Sequence, residues 1–171
     1  MKSESMSAPE ATAVATDLLT REGMYLDERD WDPWLNLYAH DAVYWVPAWC
    51  DEDTETNDPT TEISQIYHAS RRGLEERVMR VRSGQSVTAR PLPRTTHFIT
   101  NVVAAEIDLG VIVARANWMV QVYQPRTAKQ HVNFGHYELR LVQQEETWLT
   151  VWKKIHLKNN QIPAVIDFYA L

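Results

Sequence analysis

Apolar positions recur at helical spacing in the first part of the chain and alternate in its last half. Behind Ser7-Ala8-Pro9-Glu10, a capping box with proline in the first turn, Ala11, Val14, Ala15, Leu18 and Tyr25 repeat every three or four residues, and Leu19 and Leu26 widen the stripe. This predicts a helix over about 8–27. Asp32-Pro33 reads as the start of a short second helix carrying Trp34, Leu35 and Tyr38. Asp41 to Pro47 is β-branched and aromatic, which predicts a strand that Pro47 ends. Residues 51–61 hold no apolar side chain and read as an acidic loop. Ile63 to Tyr67 reads as a short strand. A third helix is expected from Leu74 to about Arg82, with Glu75 and Glu76 in its first turn, Arg80 and Arg82 in its last, and Gly84 as its left-handed cap.

After residue 94 the period changes to two. Strands are expected over 95–108, 111–124, 131–142 and 147–158, with turns at Asp108-Leu109-Gly110 and Gln143 to Glu146. One face of the second of these is wholly apolar: Ile112, Ala114, Ala116, Trp118, Val120 and Val122. In the last, Leu149, Val151, Ile155 and Leu157 alternate with Trp148, Trp152 and His156. Helices first and an antiparallel meander after predict an α+β layer, with the helices on one face of the sheet. A 12-residue strand extends about 40 Å, well beyond the ~15 Å radius of gyration of a chain this long. The sheet must therefore curl into a cone around its helices. Five of the seven tryptophans lie near the elements that would line the cone, so its interior is either a ligand pocket or filled by side chains.

The 171 residues fit a single domain, 1–171, whose first seven residues are expected to be flexible. No apolar run approaches the ~20 residues of a membrane span, and Met1 to Ser7 lacks the apolar core of a signal peptide, so a cytoplasmic chain is expected. The net charge of −6 argues against non-specific nucleic-acid binding. The charge is also polarised: residues 1–60 carry 14 acidic against 3 basic residues, and residues 61–171 carry 9 against 14. A single cysteine, Cys50, excludes a disulfide framework, a zinc ribbon or an iron–sulfur cluster built from this chain alone.

Several constellations invite chemistry. His131 and His136 have a spacing used by some iron sites, but positions five apart on a strand face opposite ways. Asp51, Asp53, Glu55, Asn57 and Glu62 fall at calcium-loop positions, yet Thr56 stands where the loop needs glycine. An isomerase- or dehydratase-like acid/base pair in the cone would draw on Asp41, Tyr38, Tyr44 or His97. Cys50 precedes three acidic residues, which disfavour a thiolate nucleophile. No nucleophile triad, phosphate loop or dinucleotide fingerprint is present. The reading assigns no catalytic, cofactor-binding or metal-binding residue to this chain.

Trp31-Asp32-Pro33-Trp34-Leu35-Asn36-Leu37-Tyr38, followed by Asp41 to Trp49, resembles the opening of the small (β) subunits of aromatic-ring-hydroxylating dioxygenases. Glu62 to Tyr67 with Gly73 to Val78, Pro93 to Val102, Ile155 to Asn160 and Val165 to Tyr169 extend the resemblance over about residues 12–171. Tyr44-Trp45-Val46-Pro47-Ala48-Trp49 and the acidic loop after it are most similar to the benzoate, anthranilate and halobenzoate branch.

The resemblance implies a cone-shaped α+β fold of the nuclear-transport-factor and scytalone-dehydratase kind. It implies a non-catalytic structural subunit. Its partner would be a large (α) subunit holding a Rieske [2Fe–2S] cluster and mononuclear Fe(II), in an assembly of three large and three small chains. The whole enzyme would add both atoms of O2 to an aromatic carboxylate, with electrons from NADH through a reductase, with or without a ferredoxin. The cysteine count agrees, because a Rieske centre needs two Cys and two His. The charge asymmetry suggests that Arg71, Arg72, Arg77, Arg80, Arg82 and Arg94 contact a neighbouring subunit. The rival readings are a free-standing cone-fold isomerase or dehydratase, and a small-molecule binding module.

Overall fold

Ser7 starts the first helix, α1 (Ala8–Glu28): its amide and hydroxyl both donate to the Glu10 carboxylate, at 2.8 and 2.6 Å. The computed structural model describes residues 5–84, 91–159, 163 and 165–171. Residues 1–4 of the end expected to be flexible, and Asn160 of the matching segments, lie outside the described residues. Ser5 Oγ and the Met6 amide both donate to Glu106, at 3.0 and 2.5 Å. The buried side of α1 is Ala11, Ala15, Leu18, Leu19, Glu22, Gly23 and Leu26, the expected stripe with one carboxylate in it.

The second helix, α2 (Trp31–Leu35), is shorter than expected, and Tyr38 is not on it. Tyr38 instead opens the first strand, β1 (Tyr38–Pro47), because it pairs with Thr150 of the last strand, a partner invisible to local pattern. After β2 (Ser64–His68), helix α3 (Arg71–Ser83) begins behind Ser70, three residues before Leu74. Glu75 and Glu76 therefore sit in the second turn rather than the first, where they pair with Arg71 and Arg72 at i,i+4 spacing. Gly84 (φ 68°) caps the helix as expected.

Strands β3 (Arg94–Asp108), β4 (Val111–Gln124), β5 (Lys129–Gln144) and β6 (Thr147–Leu157) form the antiparallel meander. The sheet order is β2-β1-β6-β5-β4-β3, with β1 parallel to β6. The sheet is curved and unclosed and the helices fill its hollow side, which is the expected cone. Ile112 to Val122 of β4 face inward as the alternation predicts. Strand β6 departs from it. Arg140 pairs with Trp152 and Leu141 with Thr150, so Val151 is an extra residue. This bulge shifts the phase: Thr150, Lys153, Ile155 and Leu157 are buried, while Leu149 and Val151 are only half-buried. No helix among the described residues is long and apolar enough to cross a membrane.

Candidate functional site

The cone is filled. A 3-10 turn, Phe168–Ala170, plugs it; Phe168 and Leu171 are buried. Phe168 stacks on Trp34 with ring centroids 4.7 Å apart and meets Trp31 edge-on at 5.2 Å. Asn133 Nδ2 donates to the Ala170 carbonyl at 2.9 Å. Asp167 caps the turn by accepting from the Phe168 amide at 2.8 Å, and Arg77 Nη1 holds the same carboxylate at 2.8 Å. Of the tryptophans, Trp31, Trp34 and Trp118 belong to the core. The choice between pocket and packing thus resolves toward packing at this end of the cone.

Behind the plug lies a buried polar cluster. Lys153 Nζ donates to Glu22 at 2.7 Å, and the Tyr38 hydroxyl donates to the other oxygen of that carboxylate. Lys153 also lies 3.9 Å from the centre of the Tyr137 ring. Burial pushes the hydroxyls of Tyr38, Tyr44 and Tyr137 well above the usual tyrosine range, and the Glu22 charge adds to this. Burial pushes Lys153 down, against the opposing pull of Glu22.

His97 Nδ1 lies 2.5 Å from Asp27 Oδ1, and Thr95 Oγ1 and the His97 amide also donate to this carboxylate. Burial would raise Asp27, but these three bonds and the imidazole hold it below the usual aspartate range. Such a pair has the elements of a general base. Its outward nitrogen, Nε2, faces the Leu171 main-chain oxygen at 3.2 Å, where a substrate atom would have to sit. Gly23 lets α1 approach: a Cβ there would stand 3.2 Å from His97 Cβ.

The four residues considered for acid/base work are therefore divided. Tyr38 and Tyr44 join the Glu22 cluster, His97 pairs with Asp27, and Asp41 is exposed away from both. The sequence reading missed Glu22, Asp27 and Lys153. Two left a signal: Glu22 interrupts the stripe between Leu18 and Leu26, and Lys153 shares the inward phase of Ile155 and Leu157. A charge at an apolar position was readable; its partner across 131 residues was not.

Two of the carboxylates read as calcium ligands, Asp51 and Glu62, are spent on backbone amides. Asp51 accepts from residues 53 and 54, and Glu62 from residues 57 and 58. Cys50 is exposed at the start of the loop, and one thiol does not supply a Rieske ligand set. Two of the six arginines expected at an interface are turned inward. Arg77 binds Asp167 and donates to His68 Nε2 at 2.9 Å, and Arg71 binds Glu75 and the Tyr38 carbonyl. Arg82 pairs with Asp32 and Arg72 with Glu76, both at the surface, and Arg80 and Arg94 are exposed.

The outer face of the sheet is apolar where it should be wet. Phe98 pairs with Met119 and Met119 with Phe134, making one row across β3, β4 and β5. The three are 47, 40 and 43% exposed, and Val103 and Ile107 stand on the same face. Beside them runs a groove of about 490 Å³, lined by Val103, Ala105, Val113, Arg115, Glu138 and Trp152 among others. Further along β5 and β6, His136 lies opposite His156, their rings stacked at 4.1 Å. His131 and His136 take opposite sides of β5, as their spacing requires; the partner of His136 is across the ladder, which only the register reveals.

The family model described as "Ring hydroxylating beta subunit" matches residues 21–164. The β subunit of toluate 1,2-dioxygenase from Pseudomonas putida is 42% identical over 153 residues, 90% of this chain and 93% of that one. The small subunit of 2-halobenzoate 1,2-dioxygenase from Burkholderia cepacia is 42% identical over 149 residues, 87% of this chain and 89% of that one. The crystal structure of the β subunit of benzoate 1,2-dioxygenase from Burkholderia mallei superposes with a TM-score of 0.77 at 33% identity, covering 93% of this chain and 96% of that one. With its fold, the family model and these relatives in agreement, the chain belongs to the ring-hydroxylating dioxygenase β-subunit family.

Proposed function

We propose that this chain is the structural, non-catalytic small subunit of the terminal oxygenase of a multicomponent dioxygenase that dihydroxylates an aromatic carboxylate of the benzoate, anthranilate or 2-halobenzoate type. The observation that carries this reading is the plugged cone. A free-standing isomerase or dehydratase needs substrate-sized space beside its base, and the Leu171 oxygen occupies that place at His97. A binding module needs an open interior, and Phe168 closes this end of it. The redox centres, a Rieske cluster and a mononuclear iron, belong to a large subunit, three of which join three small chains. Electrons come from NADH through a reductase, with or without a ferredoxin. The assembly works in the cytoplasm and takes neither nucleic acid nor membrane as partner. The substrate class is supported by relatives whose names specify toluate, benzoate and 2-halobenzoate.

The large subunit meets this chain on the apolar row of the outer face. An aromatic and Met row this exposed is what protein–protein contacts bury. Phe134→Asp is expected to weaken assembly with the large subunit by about 30-fold or more, the effect of losing one central anchor. The side chain is partly exposed, so the isolated chain should keep its fold by circular dichroism. Co-expression with the large subunit and sizing with mass analysis reads the result. Full assembly by this variant, and by Phe98→Asp, would place the contact elsewhere.

A further inference from the structure

We propose that His136, Glu138 and His156 bind one first-row divalent metal ion of the zinc class on the outer face of the sheet, with Glu55 as the positioning residue behind His156. Nothing in this depends on the oxygenase reading, and the ion takes no part in that reaction.

The ladder builds the site. His136 and His156 are directly opposed on β5 and β6, and Glu138 follows two residues on, on the same face. Directly paired side chains stand close enough to share one ion. Glu138 Oε1 lies 3.5 Å from His156 Nε2 and 3.9 Å from His136 Nε2, and one donor atom from each residue falls within 4.8 Å of the others. Tetrahedral bonds near 2.0–2.1 Å put ligand atoms about 3.3 Å apart, so the two stacked rings must swing about their side-chain torsions for their nitrogens to converge on one ion. The backbone beneath is fixed: at Gly135 a Cβ would stand 1.7 Å from the His156 carbonyl oxygen.

The second shell sets the donor atoms. The chain after β1 turns back over the end of β6, with Trp49 bridged to Glu55 and Trp49 Nε1 donating to the Leu157 carbonyl at 2.8 Å. This brings Glu55 Oε2 within 2.5 Å of His156 Nδ1. Glu55 thereby assigns the proton to Nδ1 and leaves the Nε2 lone pair free, the carboxylate–imidazole arrangement that metal-binding histidines use. Among the described residues, His156 Nε2 is buried with no hydrogen-bond partner, as is His136 Nδ1.

Charge selects the ion. Glu55 and Glu138 favour a cation, while Arg115 and Lys158 near His136 oppose it. Two imidazoles and a single carboxylate suit zinc or its neighbours rather than calcium or magnesium, which take oxygen. Three protein ligands leave a fourth position for water. The bound ion would fasten the acidic loop to the sheet through Glu55 and His156.

The test strips the full chain with a chelator and titrates it with Co2+, then displaces the Co2+ with Zn2+. One Co2+ per chain is expected, with visible ligand-field absorption, and Zn2+ should raise the melting temperature. His136→Ala with His156→Ala should abolish both signals. Glu55→Gln should weaken binding by about 10–100-fold at unchanged stoichiometry. Glu138→Gln, at a half-exposed side chain, should weaken it at least 10-fold with the metal-free melting temperature unaltered, which keeps the test sound if the histidine variants misfold. Co2+ binding equal in wild type and Glu138→Gln, or no stoichiometric binding by wild type, would overturn the proposal.

Discussion

Lys153→Met is expected to destabilise the chain by about 3–5 kcal/mol, the cost of leaving a buried charge without its partner. The ammonium and the Glu22 carboxylate are both buried in the cone, 2.7 Å apart. Removing the lysine leaves Glu22 with the Tyr38 hydroxyl alone. Pairing the change with Glu22→Gln should recover much of the loss, because the buried ion pair costs most of its attraction in desolvation. Denaturant unfolding of the two single variants and the double variant measures the coupling. A single-variant loss below about 1 kcal/mol would mean that water reaches the cluster and the cone is open.

Phe168→Ala is expected to cost about 3–5 kcal/mol, the range for deleting a buried aromatic ring. The ring is fully buried against Trp31, Trp34 and Tyr169. The loss should come with exposure of the Trp34 indole, read as a red shift of tryptophan emission and new quenching by small solutes. A near-neutral result would show that the turn at Phe168–Ala170 is not what closes the cone. The anchor of that turn is Arg77, through Asp167, so charge reversal at Arg77 would loosen the plug as well as any subunit contact. Arg80, exposed, is the cleaner probe of a basic interface.

Local pattern carried the helices and the meander because each has a complete one-dimensional signal. Ser7 with Glu10 caps α1, Gly84 ends α3, and the alternation of β4 runs unbroken from Ile112 to Val122. It failed where long-range pairing decides. Tyr38 is drawn into a strand by Thr150, and the Val151 bulge inverts the first half of β6. The interior cluster was half legible, since Glu22 and Lys153 stand at positions the patterns reserve for apolar residues. The His136–His156 pair was not, because strand register has no local signature when both faces are mixed. The arginine-rich second half suggested a docking face, but charge counts do not reveal that Arg71 and Arg77 are already engaged within the chain. The family resemblance rests on many short segments in order, and the match over residues 21–164 covers all of them except the last, Val165 to Tyr169.

The most direct measurement is turnover of benzoate, anthranilate or a 2-halobenzoate under O2, with reduced reductase, by the purified chain alone and by the chain co-purified with its large subunit. A structural subunit with a plugged cone should give no product alone, and a cis-dihydrodiol or catechol only in the complex, whose iron should track the large chain. Product formed by the isolated chain would contradict it.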